Sequence, residues 1–498
     1  MSAFAHSRRI LLTSRRIPLF TPLILLLAFA LVFKYYNLAD DTASLLPSFS
    51  TSHTFLNSRP ALTFESDGSF WPSFAPLLAA AAPRVEPPTR TEDLPMYFYH
   101  GDGVERQPNV LQWSRDYIDS MKGHHEWFVS QLQLNPPKLP YKPKTRGIVT
   151  SAGGKYFPVL LVSLRMLRRT GSTLPVEIFL KNKEEYEEIA CENLFKELGA
   201  KCIILSDSVA DSKIKFNFEH YQIKSIGLLF SSFDEILFLD ADNFPAYNPD
   251  HLFENEVYKQ KGMVLWPDYW SCTASLFFNE IAGLDENALE DRPTIESGQF
   301  LVNKKQHADT LMLAAYYNTY GTEYFYPLLS QGGPGEGDKE TFGAAALALN
   351  KTFYTVNTQP HPYGGDGAPV LQSNLDEDWA ASLDNPNRND NAPPPTPFFI
   401  HSSFGKLNPK WAQRDRRYWG PAVESIMTFG EDMEMTVWSI MVDMACEDKV
   451  QFADWGHKEY GGYNGTLKTF HVMFESEYKD LQDEEERNRE EEINIEEE

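Results

Sequence analysis

Two aspartates one residue apart close the apolar part of "ILFLDADNFP", Ile236 to Pro245. The apolar residues read as a short buried strand, and Pro245, which donates no backbone hydrogen bond, forbids its continuation as a central strand. Asp240 and Asp242 therefore stand where a strand leaves a sheet. In open α/β sheets that carboxyl edge is where ligands bind, and acids at i and i+2 on an irregular turn can converge on one cation. Taken alone, the pair is equally a polar turn.

Four other segments set polar groups at strand ends or in loops. "VLWPDYW" places Asp268 among Trp266, Tyr269 and Trp270, a mixture suited to stacking on a sugar ring, although aromatic clusters are more often core. "TIESGQFLV" puts Glu296, Ser297 and Gln299 around a flexible Gly298. "GPGEGDKETF" brings Asp338, Lys339 and Glu340 onto a Gly-rich turn ahead of a helix. "FFIHSSFGKLNP" ends a strand with His401 and places Lys406 five residues later.

One chemistry joins these parts. A nucleotide diphosphate sugar carries charge on its bridging phosphates, so departure of the diphosphate needs a divalent cation and basic groups. Carboxylates with one imidazole suit Mn²⁺, and lysines can neutralise the outer phosphate oxygens. Phosphatases of the haloacid dehalogenase type also place D-x-D after an apolar strand. They usually carry Thr or Val two residues beyond the second aspartate, where this chain has Phe244.

The elements that must position these residues alternate. Gly147 to Thr150 read as a strand, Ser151 to Lys155 as a turn, and "YFPVLLVSLRMLRRTG" as a helix closed by Gly171. "LPVEIFL" is a second strand; "EEYEEIACENLFKELG", "AKCIILS" and the helical "HYQIKSIGLLFSS" lead to the D-x-D strand. "WSRDYIDSMKGHHEWFVSQLQL" is a helix upstream of all of them. The alternation predicts an α/β fold with a mostly parallel central sheet. Residues 364–397, rich in Gly, Asn, Asp and Pro, read as a long loop, a flap over the site.

The chain has 498 residues, 42% of them hydrophobic and 13% aromatic, enough for a large core, and its formal charge of -25 argues against a nucleic-acid partner. Small molecules or neutral polymers are the favoured ligands. Residues 17–36 are nearly all apolar and long enough to span a bilayer, while Arg8, Arg9, Arg15 and Arg16 precede them. The positive-inside rule then gives a cytoplasmic tail (1–16) and a signal anchor (17–36) in the membrane. A lumenal stem rich in Ser, Thr, Pro and Ala (37–94), a domain (95–475) and an acidic tail (476–498) follow. A signal peptide cleaved near Ala28 to Ala30 is the alternative, but the run exceeds the usual length of about 7–15 residues. Cys191, Cys202, Cys272 and Cys446 allow one or two disulfides among three full pairings, or buried thiols, and no C-x-x-C zinc pair exists. Asn350 and Asn464 begin glycosylation sequons.

"FLDADNFPAYNPDHLF", "WPDYW", "ESGQFLV" and "GDKETF", in this order, with "LRRTGSTLPVEIF" upstream, resemble the fungal α-mannosyltransferases of glycosyltransferase family 71. The likeness runs from about Arg146 to Glu447. It implies a type II Golgi membrane protein with its catalytic domain lumenal and a GT-A-like nucleotide-sugar fold. It further implies GDP-mannose as donor and retention of the α configuration, with mannose residues of N-glycans or mannan as acceptor. The "WPDYW" and "GDKETF" forms favour the α-1,2 over the α-1,3 branch. By the same resemblance Asp242 binds Mn²⁺ and Asp240 contacts the metal or the ribose. "HSSFGKLNP" is similar to the H-x-x-G-x-x-K-P element of retaining GT-A enzymes, with different spacing. It implies His401 as the third metal ligand and Lys406 as a diphosphate ligand. Lys224, in the helical run that feeds the D-x-D strand, is a further phosphate candidate; Trp266, Asp268, Gln299 and Asp338 are candidates for donor or acceptor binding. Glu296 is either a nucleophile or an orienter of the acceptor. The reading from another class is a non-catalytic, glycan-binding subunit of a complex with other Golgi glycosyltransferases.

Overall fold

The computed structural model describes residues 69–456 except 100, 102–106, 290–291, 365–368, 404, 412–416 and 448–449, together with Lys479. The cytoplasmic tail, the expected anchor 17–36, the stem up to residue 68, the Cys446 side chain, the Asn464 sequon and the acidic tail apart from Lys479 lie outside the described residues. Among the described residues no helix is long and apolar enough to cross a membrane.

The elements that matter here are α1 (Phe70–Ala80), α2 (Arg115–Leu134), β1 (Lys142–Ser151), α3 (Phe157–Arg169), β2 (Val176–Leu180) and β3 (Ala200–Ile204). They continue with α4 (Gln222–Phe230), β4 (Phe233–Leu239), β5 (Asn243–Pro245), β6 (Met263–Ser271), β7 (Pro293–Asn303), α5 (Lys304–Thr319) and α6 (Thr341–Ala348). Last come β8 (Tyr354–Thr355), β9 (His361–Pro362), β10 (Val370–Ser373), α7 (Leu375–Ala381), β11 (Pro397–His401) and α8 (Met433–Val442). Seven strands form one sheet in the order β8-β6-β7-β4-β1-β2-β3. Only β7 runs against its neighbours, so the sheet is mostly parallel, as the alternating pattern predicts. A second, antiparallel sheet has the order β9-β10-β11-β5.

Strand periodicity divides the core in two. Ile148, Ile178, Leu237, Leu239, Val264 and Leu301 face α3, α8 and the second sheet. Their neighbours Val149, Phe179, Ile236, Phe238, Leu265 and Phe300 face α1, α2, α4, α5 and α6. With both faces covered, the strands read as apolar runs rather than alternating ones. Local chemistry sets the helix ends: the Ser114 side chain accepts from the Tyr117 N–H at the start of α2, and Gly171 takes φ +84° just beyond α3. Cys191 and Cys202 form a disulfide that ties the turn before β3 to β3, while Cys272 is a free thiol.

Two expectations are corrected. The stem does not extend to residue 94: Phe70, Trp71, Phe74, Leu77 and Leu78 of α1 are buried in the core. Pro, Ser and Ala in "FWPSFAPLLAA" masked a helix whose Pro76 is tolerated inside it. Nor is 364–397 one loop. It contains β10 and α7, whose Asn374 caps the helix by accepting from the Asp376 and Glu377 N–H groups, so the Asn and Asp taken as loop composition are a helix start.

Five large side chains at about 1.5–3 kcal/mol each make α1 worth roughly 8–15 kcal/mol, as much as a whole domain's net stability. A chain beginning at residue 64 should therefore unfold cooperatively in urea, whereas one beginning at residue 95 should not fold. Coincident urea midpoints for the two would show that α1 is dispensable.

Candidate active site

The D-x-D turn is where the chain crosses from one sheet to the other. β4 ends at Leu239, the Asp240 N–H donates to Gly298 O (2.8 Å), and the Asn243 N–H returns to Asp240 O (3.0 Å). β5 then joins the second sheet with Asn243 opposite His401, and the Ser402 N–H donates to Asp242 O (2.9 Å). From α3, Ser163 Oγ donates to Ala241 O (2.7 Å). Every residue of the turn is thus fixed by a different element.

A bulge in β7 supplies the opposite wall. Leu265 of β6 lies opposite Phe300 and the next residue, Trp266, opposite Glu296, so Ser297 to Gln299 leave the β6 ladder. Such insertions re-aim side chains. Here Glu296 Oε1 accepts from the Gly298 N–H (2.6 Å) and lies 3.1 Å from His401 Nδ1. Gly298 is needed for closeness rather than flexibility, because a Cβ there would stand 2.6 Å from the His401 ring.

His401 Nε2 is 3.3 Å from Asp242 Oδ1, and Lys406 Nζ pairs with Asp242 Oδ2. Asp240, Asp242 and His401 each offer one ligand atom, all within 4.8 Å of one another. Asp240 keeps 29% of its side chain exposed and Asp242 only 6%, so the first faces out and the second in. Burial opposes the Asp242 charge, but Lys406 and His401 outweigh it and hold this carboxyl well below the usual range. At Asp240 burial wins over Lys224 and His401, and the carboxyl is pushed up. Burial also opposes a charge on His401, yet Glu296 and Asp242 push it up to about 10. Two carboxylates and an imidazole fit a borderline divalent cation, and Glu296 on Nδ1 has the place of an outer carboxylate that would orient the imidazole toward it.

Other expected residues take different places. Lys224 is buried and its ammonium is occupied by Asp338 (2.9 Å), Asp240 (3.2 Å), Ser297 O (3.0 Å) and Ser297 Oγ (3.1 Å). It is a tie beneath the turn rather than a phosphate ligand, and Asp338 is its counter-ion. Trp266 is fully buried, donates Nε1–H to Ser373 O (2.9 Å) and packs edge-on against Phe399; it is core and offers no face to a sugar. Gln299 is also fully buried, its Oε1 accepting from Asn243 Nδ2 (2.5 Å). Asp268 pairs with Lys339 (2.7 Å). Glu296 Oε2, Gln299 Nε2 and Asn243 Oδ1 are buried without a hydrogen-bond partner among the described residues. Asn243 and Ser163 were missed by sequence reasoning; Asn243, adjoining the D-x-D, carried a positional signal, and Ser163, a serine in an apolar helix, carried little.

A family model described as "Mannosyltransferase putative" matches residues 145–293 and 287–369. Alpha-1,2-mannosyltransferase MNN21 of Candida albicans is 40% identical over 49% of this chain and 44% of its own length. Alpha-1,2-mannosyltransferase MNN5 of Saccharomyces cerevisiae (strain YJM789) is 31% identical over 66% of this chain and 72% of its own length. The chain belongs to this mannosyltransferase family. It spans about half the length of the Candida albicans alpha-1,2-mannosyltransferases it matches. Among solved structures, the galactosyltransferase LgtC in complex with donor and acceptor sugar analogs is 15% identical with a TM-score of 0.31, covering 57% of this chain and 95% of that one. At that score the likeness places no residue.

Substituting Gly298→Ala should displace His401 and weaken Mn²⁺ binding, read by calorimetric titration, by at least tenfold. Unchanged affinity in a folded variant would remove His401 from the cation site.

Proposed function

We propose that the chain is a Golgi α-1,2-mannosyltransferase that moves mannose from GDP-mannose to mannose residues of glycoprotein glycans with retention. In this reading residues 17–36 anchor it as a type II membrane protein, and the domain is GT-A-like. The observation that carries the proposal is the convergence of Asp240, Asp242 and His401 at the carboxyl end of β4 in a chain of this family. The α-1,2 linkage is supported by the names of its relatives, which are alpha-1,2-mannosyltransferases.

Asp240, Asp242 and His401 would hold Mn²⁺, which supplies positive charge to a departing diphosphate. Lys406, 26% exposed, is the basic group able to turn from Asp242 toward an outer phosphate oxygen. Lys224 cannot do this without abandoning Asp240 and the buried Asp338. Glu296 stays ionised: burial opposes its charge, but His401 outweighs it. Its Oε1 is committed to His401 and Gly298 and its Oε2 has no partner. We therefore assign Glu296 to orienting His401 through Oε1 and the acceptor hydroxyl through Oε2, with the donor attacked on the face the diphosphate leaves.

Transfer from GDP-mannose to an α-mannoside should require Mn²⁺, stop with EDTA, and be abolished by Asp242→Asn. Glu296→Gln should lose about 10–100-fold, the usual cost of an outer-shell partner. A loss of about a millionfold would instead make Glu296 the nucleophile. Tight metal-dependent GDP-mannose binding without turnover, over a panel of acceptors, would favour the non-catalytic subunit.

A further inference from the structure

The far end of β6 carries an aromatic surface that the transfer chemistry leaves unused. Residues 97–99 run antiparallel along it: the Tyr99 N–H donates to Tyr269 O (2.7 Å), the Ser271 N–H donates to Tyr97 O (3.0 Å), and Phe98 lies opposite Trp270. The Phe98 and Trp270 rings stack, with centroids 4.6 Å apart and planes 17° from parallel. Phe98 is nevertheless 55% exposed, and Met96 and Tyr97 beside it are 40% and 49% exposed. An exposed stacked aromatic pair of this kind marks a binding site more often than chance exposure does.

The surface is joined to the candidate active site. Trp270 lies four residues beyond Trp266, the residue opposite Glu296, which is about 13 Å along the strand. Between them Tyr269 has a buried hydroxyl without a hydrogen-bond partner among the described residues. Burial, Asp268 and Glu296 all raise the phenol's pKa, so it stays a donor and Glu296 is its electrostatic neighbour. Glu296 Oε2 and Tyr269 Oη are thus two unmet polar atoms on the strand pair that carries Trp270 at its far end.

We infer that Phe98 and Trp270 form a subsite for an inner sugar of an oligosaccharide acceptor, more than one residue from the hydroxyl that receives transfer. Pyranose rings have an apolar C–H face that stacks on aromatic rings of this kind. The net charge of -25 disfavours an acidic polymer or an anionic membrane as occupant and leaves a neutral glycan favoured.

The inference rests on the transferase reading, so the test has two arms. With the full chain, transfer is measured to methyl α-mannoside and to an α-linked mannotetraose. Phe98→Ala and Trp270→Ala should raise KM for the tetraose about tenfold and leave KM for the monosaccharide, KM for the donor and Mn²⁺ affinity unchanged. Trp270→Phe should keep most of the effect of the wild-type ring. Equal losses on both acceptors, or none, would overturn the subsite. If the wild-type chain transfers to neither, the transferase reading fails by itself. Calorimetric binding of mannotetraose then decides the subsite: loss with Phe98→Ala supports it and equal binding overturns it. A Phe98→Ala variant that alters self-association or vesicle binding but not tetraose binding also overturns it.

Discussion

The structure depends on the burial of like charge at one crossing point. Asp240, Asp242, Glu296 and Asp338 lie together, against the two ammonium groups of Lys224 and Lys406 and one imidazole. Even with His401 protonated the group is one negative charge in excess. Desolvated carboxylates are tolerated only when paired, and removing one partner from such a buried set typically costs about 3–5 kcal/mol. The excess is what a divalent cation would offset; burial pushes the Asp240 carboxyl up, while Lys406 and His401 hold Asp242 ionised. The lysines divide this work: Lys224 is locked beneath the turn and Lys406 stands at its mouth.

Holding these charges together requires two sheets. A turn at the end of a single parallel sheet would offer Asp240 and Asp242 but no imidazole. The short β5 borrows the turn for the second sheet, and its register with β11 brings His401 opposite Asn243. The bulge in β7 then delivers Glu296 to the other side of the same ring. Disturbing the register by one residue would face His401 away from the turn, since strand side chains alternate. Substitutions in β5 or β11 that preserve apolar character are therefore the tolerable ones, whereas a shift of register is not.

The alternation of strands and helices and the carboxyl-edge position of Asp240 and Asp242 were legible because apolar runs, glycine stops and proline act locally. His401 and Lys406 stood out locally only as polar groups after a strand, and their roles came by resemblance to a motif, since nothing local links residue 401 to residue 242. What misled was composition. The Pro and Ala in α1 and the Asn and Asp at the start of α7 read as stem and loop, because composition does not distinguish a helix cap from a turn. Trp266 and Lys224 failed for a different reason. Residue type showed what each could do, but burial decided: the same indole that could stack on a sugar instead donates to Ser373 O inside the core. Phe98 and Trp270, separated by more than 170 residues, could not be paired from sequence at all.

The net charge bears on how the proposed donor is held. A chain of formal charge -25 repels a nucleoside diphosphate sugar at long range, but charges farther apart than about 8 Å are largely screened at physiological salt. Binding must then come from groups within that distance, and of the two lysines described at the turn, Lys224 and Lys406, it is Lys406 that is available to phosphate. A single ammonium is a weak counter to a diphosphate. Donor affinity would consequently follow occupancy of the Asp240, Asp242 and His401 site, so that the same cation that activates the leaving group also makes its capture favourable. A neutral glycan acceptor is indifferent to that field, and the aromatic face of Phe98 and Trp270 can hold it whether or not the metal is present.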